Sequence, residues 1–278
     1  MKLTVGNKEV DLSSPVVMAI VNVTPDSFFA GSRLETDDDI RRCAGRALED
    51  GAAILDVGGY SSRPGAPDVS PEEELARVRR GVGVIRKAYP EAVVSVDTFR
   101  ASVAEGVVDE FGPCMVNDIS AGDLDATITE VVARHDLPYV AMHMRGRPIN
   151  MQEYASYDDI VSEVKTFFAR KLLWLKEMGV RQVVIDPGFG FSKDTEQNYR
   201  LLGGLDELCS MGVPLLAGVS RKSMIYKPLG VTPAEALTGT TAIHWECLSK
   251  GALILRAHDV REAVDVVNLY EFYKSVNQ

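Results

Sequence analysis

The 278-residue sequence lacks the features that mark secreted, disulfide-bonded or membrane proteins. Its four cysteines stand far apart, and no pair has the short spacing of a zinc site or a disulfide framework. No apolar run reaches roughly 18 residues, the length of a membrane helix, and the first residues contain no apolar signal-peptide region. These absences predict a soluble protein of the cytoplasm, where the cysteines stay reduced.

Positive charge is also scarce. The chain carries 30 Lys and Arg residues against 40 Asp and Glu residues, so its formal net charge is −10. A chain with this balance is a poor match for nucleic acid or an anionic membrane surface, and we expect neither as a partner. Any anionic ligand must therefore be held by a local cluster of positive groups.

A regular alternation of strand-like and helix-like segments runs through the chain. The eight strand-like runs are rich in Val, Ile and Ala and nearly continuous in apolar residues, which is typical of parallel strands covered on both faces. They lie at 16–23, 52–59, 92–98, 114–120, 138–144, 181–187, 213–220 and 252–259. About 250 residues in eight such units predict one domain over 1–278, a (β/α)₈ TIM barrel over 16–278 preceded by a β-ribbon in 1–15. An open doubly wound α/β sheet is the alternative.

Polar residues cluster where the predicted strands end. In the last strand Ile254, Arg256 and His258 share one face, because successive side chains alternate across a strand. Ligands of barrels bind at the carboxyl ends of the strands, so this ring predicts a site there. Capping of a neighbouring helix is the alternative for any single Asp. The other ends carry Asn22, Asp56, Asp97, Asn117, Asp118, His143, Arg145, Asp186, Ser220, Arg221 and Lys222.

These residues form two chemical groups. The first supplies hydrogen-bond acceptors and an amide, which suit a flat heterocycle with several N–H donors. Its members are Asp97, Asn117 and Asp186. The second supplies positive charge, which suits phosphate or pyrophosphate. Its members are Arg63, Lys222, Arg256 and His258. Two loops rich in Gly, Pro and Ser, 22–31 and 58–67, have the composition of active-site lids.

The motifs at these strand ends resemble those of the dihydropteroate synthase family. No segment is diagnostic alone, but eight occur in order, each at a predicted strand end. They are 22–28, 56–59 with 61–66, 95–98, 116–119, 142–146, 186–191, 218–223 and 255–259. The resemblance implies a barrel enzyme that joins 7,8-dihydropterin-CH₂-pyrophosphate to p-aminobenzoate, giving 7,8-dihydropteroate and pyrophosphate by a dissociative substitution in folate biosynthesis.

The resemblance also implies roles for individual residues. Those expected to hold the pterin ring are Asp97, Asn117, Asp186 and Lys222, with Met142, Phe191 and Gly218 as walls. Those expected to hold the pyrophosphate are Asn22, Arg63, Arg256 and His258, with Mg²⁺ near Asn22. Those expected around p-aminobenzoate are Phe28, Ser62, Arg63, Pro64, Lys222 and Ser223. The expected catalytic groups are Asp97, Lys222, Arg256 and His258.

Several positions depart from the family pattern. Ala30 stands where many members carry a metal-binding Asp, and Asp26 is a candidate substitute. Tyr60 and Ser62 stand where Glu and Thr are usual. The family further implies a homodimer and inhibition by sulfonamides. A pterin-dependent methyltransferase and a catalytically silent pterin-binding barrel are the alternatives, and neither has a use for the pyrophosphate-binding cations.

Overall fold

The computed structural model describes residues 1–24, 36–61 and 68–277. An antiparallel ribbon opens the chain, with β1 at Lys2–Val5 and β2 at Lys8–Asp11. Gly6 occupies the turn at a φ of 63°, which a glycine adopts without strain. The ribbon buries Leu3, Val5 and Val10 against the lower barrel interior and closes that end. The predicted ribbon is confirmed.

Eight parallel strands follow the ribbon. They run in the spatial order β8-β7-β6-β5-β4-β3-β10-β9, and a parallel bridge from Ile185 to Leu215 joins the first to the last. The sheet therefore closes into the predicted barrel, and the open-sheet alternative was wrong. The strands are β3 (Val16–Asn22), β4 (Ile54–Gly58), β5 (Val94–Asp97), β6 (Met115–Asp118), β7 (Tyr139–Met142), β8 (Val183–Asp186), β9 (Leu216–Ala217) and β10 (Ile254–Ala257).

Helices surround the barrel, and several of them are capped by the side chain of the residue before their first turn. Thr36 and Asp39 form a reciprocal capping box, and Ser70 accepts a hydrogen bond from the backbone N–H of Glu73. No helix in the described ranges is long and apolar enough to cross a membrane. The helices are α1 (Asp37–Glu49), α2 (Pro71–Ala88), α3 (Ala101–Phe111), α4 (Ile128–Arg134), α5 (Ile160–Glu177), α6 (Thr195–Gly203), α7 (Leu205–Cys209), α8 (Ser223–Leu229), α9 (Leu237–Ser249) and α10 (Val260–Asn277).

Two helical segments are irregular. The segment 195–209 is interrupted at Gly204, which separates α6 from α7. The capping box of Thr232 and Glu235 begins a short 3₁₀ turn, so α9 starts only at Leu237.

The barrel interior is layered, and this layering positions the site. The lower layer is apolar and packs against the ribbon; it contains Met18, Ile54, Met115, Val140, Val184, Leu216 and Ile254. Two residues further along each strand the side chain again points inward, one layer nearer the carboxyl ends. That upper layer contains Ile20, Asp56, Asn117, Met142, Asp186, Gly218 and Arg256. The period of two thus places the polar residues at one mouth of the barrel.

Candidate active site

A cavity of about 680 Å³ opens at the carboxyl ends of the strands. Its walls include eight of the residues predicted from the sequence, which are Asn22, Asp97, Phe191, Gly218, Lys222, Ser223, Arg256 and His258. Asn117, Met142 and Asp186 lie beside it and are almost fully buried. Phe28, Ser62, Arg63 and Pro64, with Asp26 and Ala30, lie outside the described residues.

Arg256 is held between two carboxylates. Its Nε donates to Asp56 Oδ2 and its Nη2 to Asp97 Oδ2, each at 2.7 Å. Asn117 Nδ2 also donates to Asp56 Oδ2, at 3.0 Å. Burial opposes the guanidinium charge, but Asp56 and Asp97 outweigh it and raise the pKa of Arg256. The predicted acceptor group and the predicted cationic group therefore meet at this side chain.

Asp56 is a site residue that the sequence-based assignment missed. Its side chain is fully buried, and Oδ1 has no hydrogen-bond partner within the described ranges. A buried unpaired carboxylate oxygen is costly, so a donor from a ligand or water is needed there. The signal was present in the sequence, because Asp56 ends a strand within a recognised motif.

Asp97 has an unusual proton affinity. Its burial, together with the nearby charge of Asp56, raises the pKa of Asp97 to about 7, while Arg256 acts in the opposite direction. The carboxyl is thus divided between its two protonation states near neutral pH. Carboxyls with such shifted values are frequent at functional sites.

On the opposite wall, Asp186 and Lys222 face the backbone of Gly218. A Cβ at Gly218 would lie 3.7 Å from both Asp186 Oδ2 and Lys222 Nζ, so glycine keeps this part of the slot open. Lys222 Nζ donates to Phe189 O at 2.6 Å and lies 4.8 Å from the centre of the Phe191 ring. Burial lowers the pKa of Lys222 to about 8, although Asp186 opposes the shift.

The remaining wall is apolar. Met142 belongs to a buried cluster with Ile119, Met144 and Met151, and Phe191 packs against it. Carboxylates on one side and a flat apolar wall on the other form a slot for a planar ring with polar edges.

His258 differs from its predicted state. The distance from its Nδ1 to Ser220 Oγ is 3.1 Å, and burial lowers the pKa of His258 to about 4. The imidazole is therefore neutral near pH 7 in the ligand-free protein, whereas the sequence pattern predicts a positive charge here. Arg221 is a structural residue, since its guanidinium makes two bonds of 2.7 and 2.8 Å to Asp259.

Asn22 is the predicted metal ligand that lies within the described residues. A Cβ at Gly58 would lie 3.2 Å from Asn22 Oδ1, which places this oxygen beside the end of β4. The described part of the chain contains no group of three His, Cys, Asp or Glu side chains that could hold a metal. Mg²⁺ commonly binds through few protein oxygens, several waters and substrate phosphates. One amide oxygen at the cavity wall fits that mode, in which a phosphate-bearing ligand and waters would supply the other oxygens.

Tyr60 lies at the cavity wall and forms an edge-to-face pair with Phe99, with ring centres 5.2 Å apart. The Arg100 guanidinium lies over both rings and bonds to the buried Glu74 at 2.6 Å. Glu74 also accepts a 2.6 Å hydrogen bond from Thr98, the residue after Asp97. Tyr60 therefore covers a buried polar network that supports the end of β5.

The closed barrel and its slot define a class of protein, the TIM-barrel enzymes that bind a planar, nitrogen-rich ring. A family model described as "Pterin binding enzyme" matches residues 18–258. The dihydropteroate synthase of Escherichia coli (strain K12) is 41% identical over 273 residues, covering 98% of this chain and 96% of that protein. The enzyme of Haemophilus influenzae is 37% identical, covering 98% of each. The chain belongs to the dihydropteroate synthase family of pterin-binding enzymes.

Solved structures agree with this assignment. A Yersinia pestis dihydropteroate synthase in a sulfonamide drug complex superposes with a TM-score of 0.94 at 39% identity, covering 99% of this chain and 100% of that one. A Xanthomonas albilineans dihydropteroate synthase with 4-aminobenzoic acid gives a TM-score of 0.89 at 38% identity, covering 98% of each chain. The family predicted from the motifs is confirmed, which disfavours the methyltransferase alternative.

Proposed function

We propose that this chain, acting as a single domain, condenses 7,8-dihydropterin-CH₂-pyrophosphate with p-aminobenzoate to give 7,8-dihydropteroate and pyrophosphate. The observation that carries the proposal is the Asp56–Arg256–Asp97 arrangement, in which one cation joins the acceptor side of the slot to the open mouth. Xanthomonas albilineans relatives have been solved with 4-aminobenzoic acid and with 7,8-dihydropteroate, the proposed second substrate and the proposed product.

The pterin ring is proposed to enter the slot edge first. Asp97, Asp186 and Asn117 then meet its amino-amide and ring N–H groups, and Lys222 donates to a ring acceptor. Met142, Phe191 and the open backbone at Gly218 enclose its faces. The unpaired Asp56 Oδ1 supports this orientation. A buried acceptor at the slot needs a donor, and an N–H group on the edge of the ring, or a water held there by the ring, would supply it.

The pyrophosphate group is proposed to lie at the mouth, beside Asn22, Arg63, Arg256 and His258. Bound Mg²⁺, held by Asn22 and the diphosphate, would neutralise charge on the leaving group. His258 gains a proton more readily once an anion lies beside it, since opposite charge raises the pKa of an imidazole. The added positive charge on His258 strengthens the anion site, because Asp56 and Asp97 neutralise part of the charge of Arg256.

The p-aminobenzoate site is proposed to lie further out. Lys222 and Ser223 form its described part, at the start of α8. The rest of the proposed site is inferred from the sequence motifs alone and consists of Phe28, Ser62, Arg63 and Pro64. Sulfonamides are expected to compete there, and a Yersinia pestis relative has been solved in a sulfonamide drug complex.

The chemistry proposed is a dissociative substitution at the pterin methylene carbon. The C–O bond to pyrophosphate breaks, and the pyrophosphate oxygen keeps the electron pair, leaving a cation delocalised over the ring. The ionised Asp97 stabilises that cation electrostatically, and the enclosed slot excludes the water that would trap it. The aromatic amine then forms the new C–N bond and loses a proton, with no covalent enzyme intermediate.

The test is the release of pyrophosphate when the protein is mixed with the dihydropterin pyrophosphate, Mg²⁺ and p-aminobenzoate. We expect pyrophosphate and dihydropteroate in equal amounts, and a raised apparent KM for p-aminobenzoate when a sulfonamide is present. Omission of p-aminobenzoate is the control. Absence of dihydropteroate, or sulfonamide inhibition independent of the p-aminobenzoate concentration, would contradict the proposal.

We further propose a homodimer of the cytoplasm, in which α10 supplies the contact. Leu269, Phe272, Tyr273 and Val276 on this helix are between 53% and 67% exposed, an unusually apolar outer face. Phe272→Glu should yield a monomer by sedimentation, whereas Leu173→Glu on the surface of α5 should leave the dimer intact. A monomeric unmodified protein would refute the contact.

The four unpaired cysteines support the proposed location in the cytoplasm, a reducing compartment.

A further inference from the structure

The loop between β8 and α6 has an unusual backbone path. Gly188, Gly190 and Ser192 have φ values of 69°, 82° and 47°, so three of five consecutive residues lie in the left-handed region. A side chain at Gly188 would collide with the backbone of His143, because the loop passes directly over the end of β7. This loop also presents Phe191, the apolar wall of the slot. Ser192 is the one non-glycine residue of the three, so contacts to the loop must stabilise its left-handed conformation.

Lys193 is buried beneath the loop, with only 3% of its surface exposed. Its Nζ lies 3.0 Å from Gly188 O, 2.9 Å from Phe191 O and 3.0 Å from His143 Nδ1. These three contacts suit an ammonium, which donates to all three, and equally an amine, which donates to two carbonyls and accepts from the imidazole. In either form the nitrogen joins both ends of the loop to β7.

The remaining loop carbonyls are bonded by two other side chains. Phe189 O accepts from Lys222, and Gly190 O accepts from Gln152 at 3.3 Å. Four consecutive carbonyl oxygens, from Gly188 to Phe191, are thus held by side-chain donors. The two lysines differ in exposure, since Lys222 is half-buried at the cavity, whereas only 3% of the Lys193 surface is exposed.

We propose that Lys193 is a positioning residue for the ring slot, which it keeps in its ligand-ready shape by fixing the 188–191 loop from below. This inference rests on the proposed function, because it assigns Lys193 to the binding of the same pterin ring. When a ring acceptor takes a hydrogen bond from Lys222, the bond to Phe189 O weakens or breaks. Lys193 then keeps Phe191 against the ring while Lys222 changes partner.

Lys193→Met tests the role, since methionine fills similar space without a donor. The bare pterin lacking pyrophosphate is the probe, and we expect its Kd by calorimetry to rise at least about 20-fold. The KM for p-aminobenzoate should change less than about 3-fold. Lys193→Gln, which retains two N–H donors on a shorter chain, should recover part of the loss. Lys165→Met, at an exposed lysine of α5, is the control and should behave as wild type.

Amide hydrogen exchange gives a readout independent of turnover. In Lys193→Met the amides of residues 188–191 should exchange faster, with the rest of the barrel unchanged. A folded variant with unchanged pterin affinity, or with equal losses for both substrates, would overturn the proposal. If Lys193→Met does not fold, the test is made with Lys193→Gln. Wild-type pterin affinity and wild-type amide exchange in Lys193→Gln would then refute the role. A wild-type protein that binds no pterin would instead reject the proposed function.

Discussion

Replacing Arg256 with alanine should lower kcat/KM for the pterin pyrophosphate by about 10³-fold or more and should also weaken the fold. The substitution removes the cation shared by Asp56 and Asp97 and leaves two neighbouring carboxylates enclosed. Breaking such a pair costs about 3–5 kcal/mol when the remaining charge is buried. Asp97 would then take up a proton more readily, because its opposing charge is gone. Both the anion site and the ionised state of the slot are lost together.

The measurement separates these two effects. Binding of pyrophosphate and of bare pterin is titrated by calorimetry, and urea unfolding gives the change in stability. We expect the pyrophosphate affinity to fall more than the pterin affinity, since Arg256 would contact the anion directly. Equal losses would mean that Arg256 only scaffolds the carboxylates. Arg134→Ala, which breaks an exposed pair with Glu105, is the control and should change neither affinity.

Much of the fold follows from the period of two in the strands. An apolar residue such as Ile254 and a polar one two positions later, such as Arg256, already specify an interior with an apolar floor and a polar mouth. The eight repeats then require only closure, which the pairing of Ile185 with Leu215 provides. The family motifs supplied the ring of site residues, because they fall at the same strand ends.

The pairing of these side chains could not be predicted in this way. Arg221 and Lys222 are adjacent cations at the same cavity, yet the guanidinium of Arg221 binds Asp259, whereas Lys222 Nζ lies over the Phe191 ring. The neutral state of His258 depends on burial, which becomes visible only when the barrel closes. The sequence contains only a weak indication of the role of Lys193. It is a single cation directly after a glycine-rich motif, and residues 187–192 contain no acidic residue that could pair with it. The chain order does not show that its nitrogen returns to that same loop.

Asp97→Asn should reduce kcat by about 10² to 10³-fold and leave the KM for p-aminobenzoate nearly unchanged, because the amide cannot supply the negative charge that stabilises the ring cation. The pKa of Asp97 is raised to about 7, mainly by burial, so wild-type activity should fall as the pH decreases through this value and Asp97 becomes protonated. Steady-state rates between pH 5.5 and 8.5 should show this acidic limb in the wild type and lose it in the variant.

The stability of the same variant distinguishes catalysis from folding. A carboxyl whose folded pKa lies above its unfolded value of 3.8 binds its proton more tightly when folded, so stability falls as the pH rises from about 4 to about 7. Asp97→Asn removes that penalty and should be at least as stable as wild type at pH 7. Asp118→Asn is the contrast, since both oxygens of Asp118 accept hydrogen bonds, from Ser120 on one side and from Gly122 and Tyr139 on the other, and the amide nitrogen of Asn cannot accept them. Asp118→Asn should lose stability yet keep the acidic limb of the pH–activity profile. If Asp97→Asn also keeps this limb, the titration belongs to a group other than Asp97.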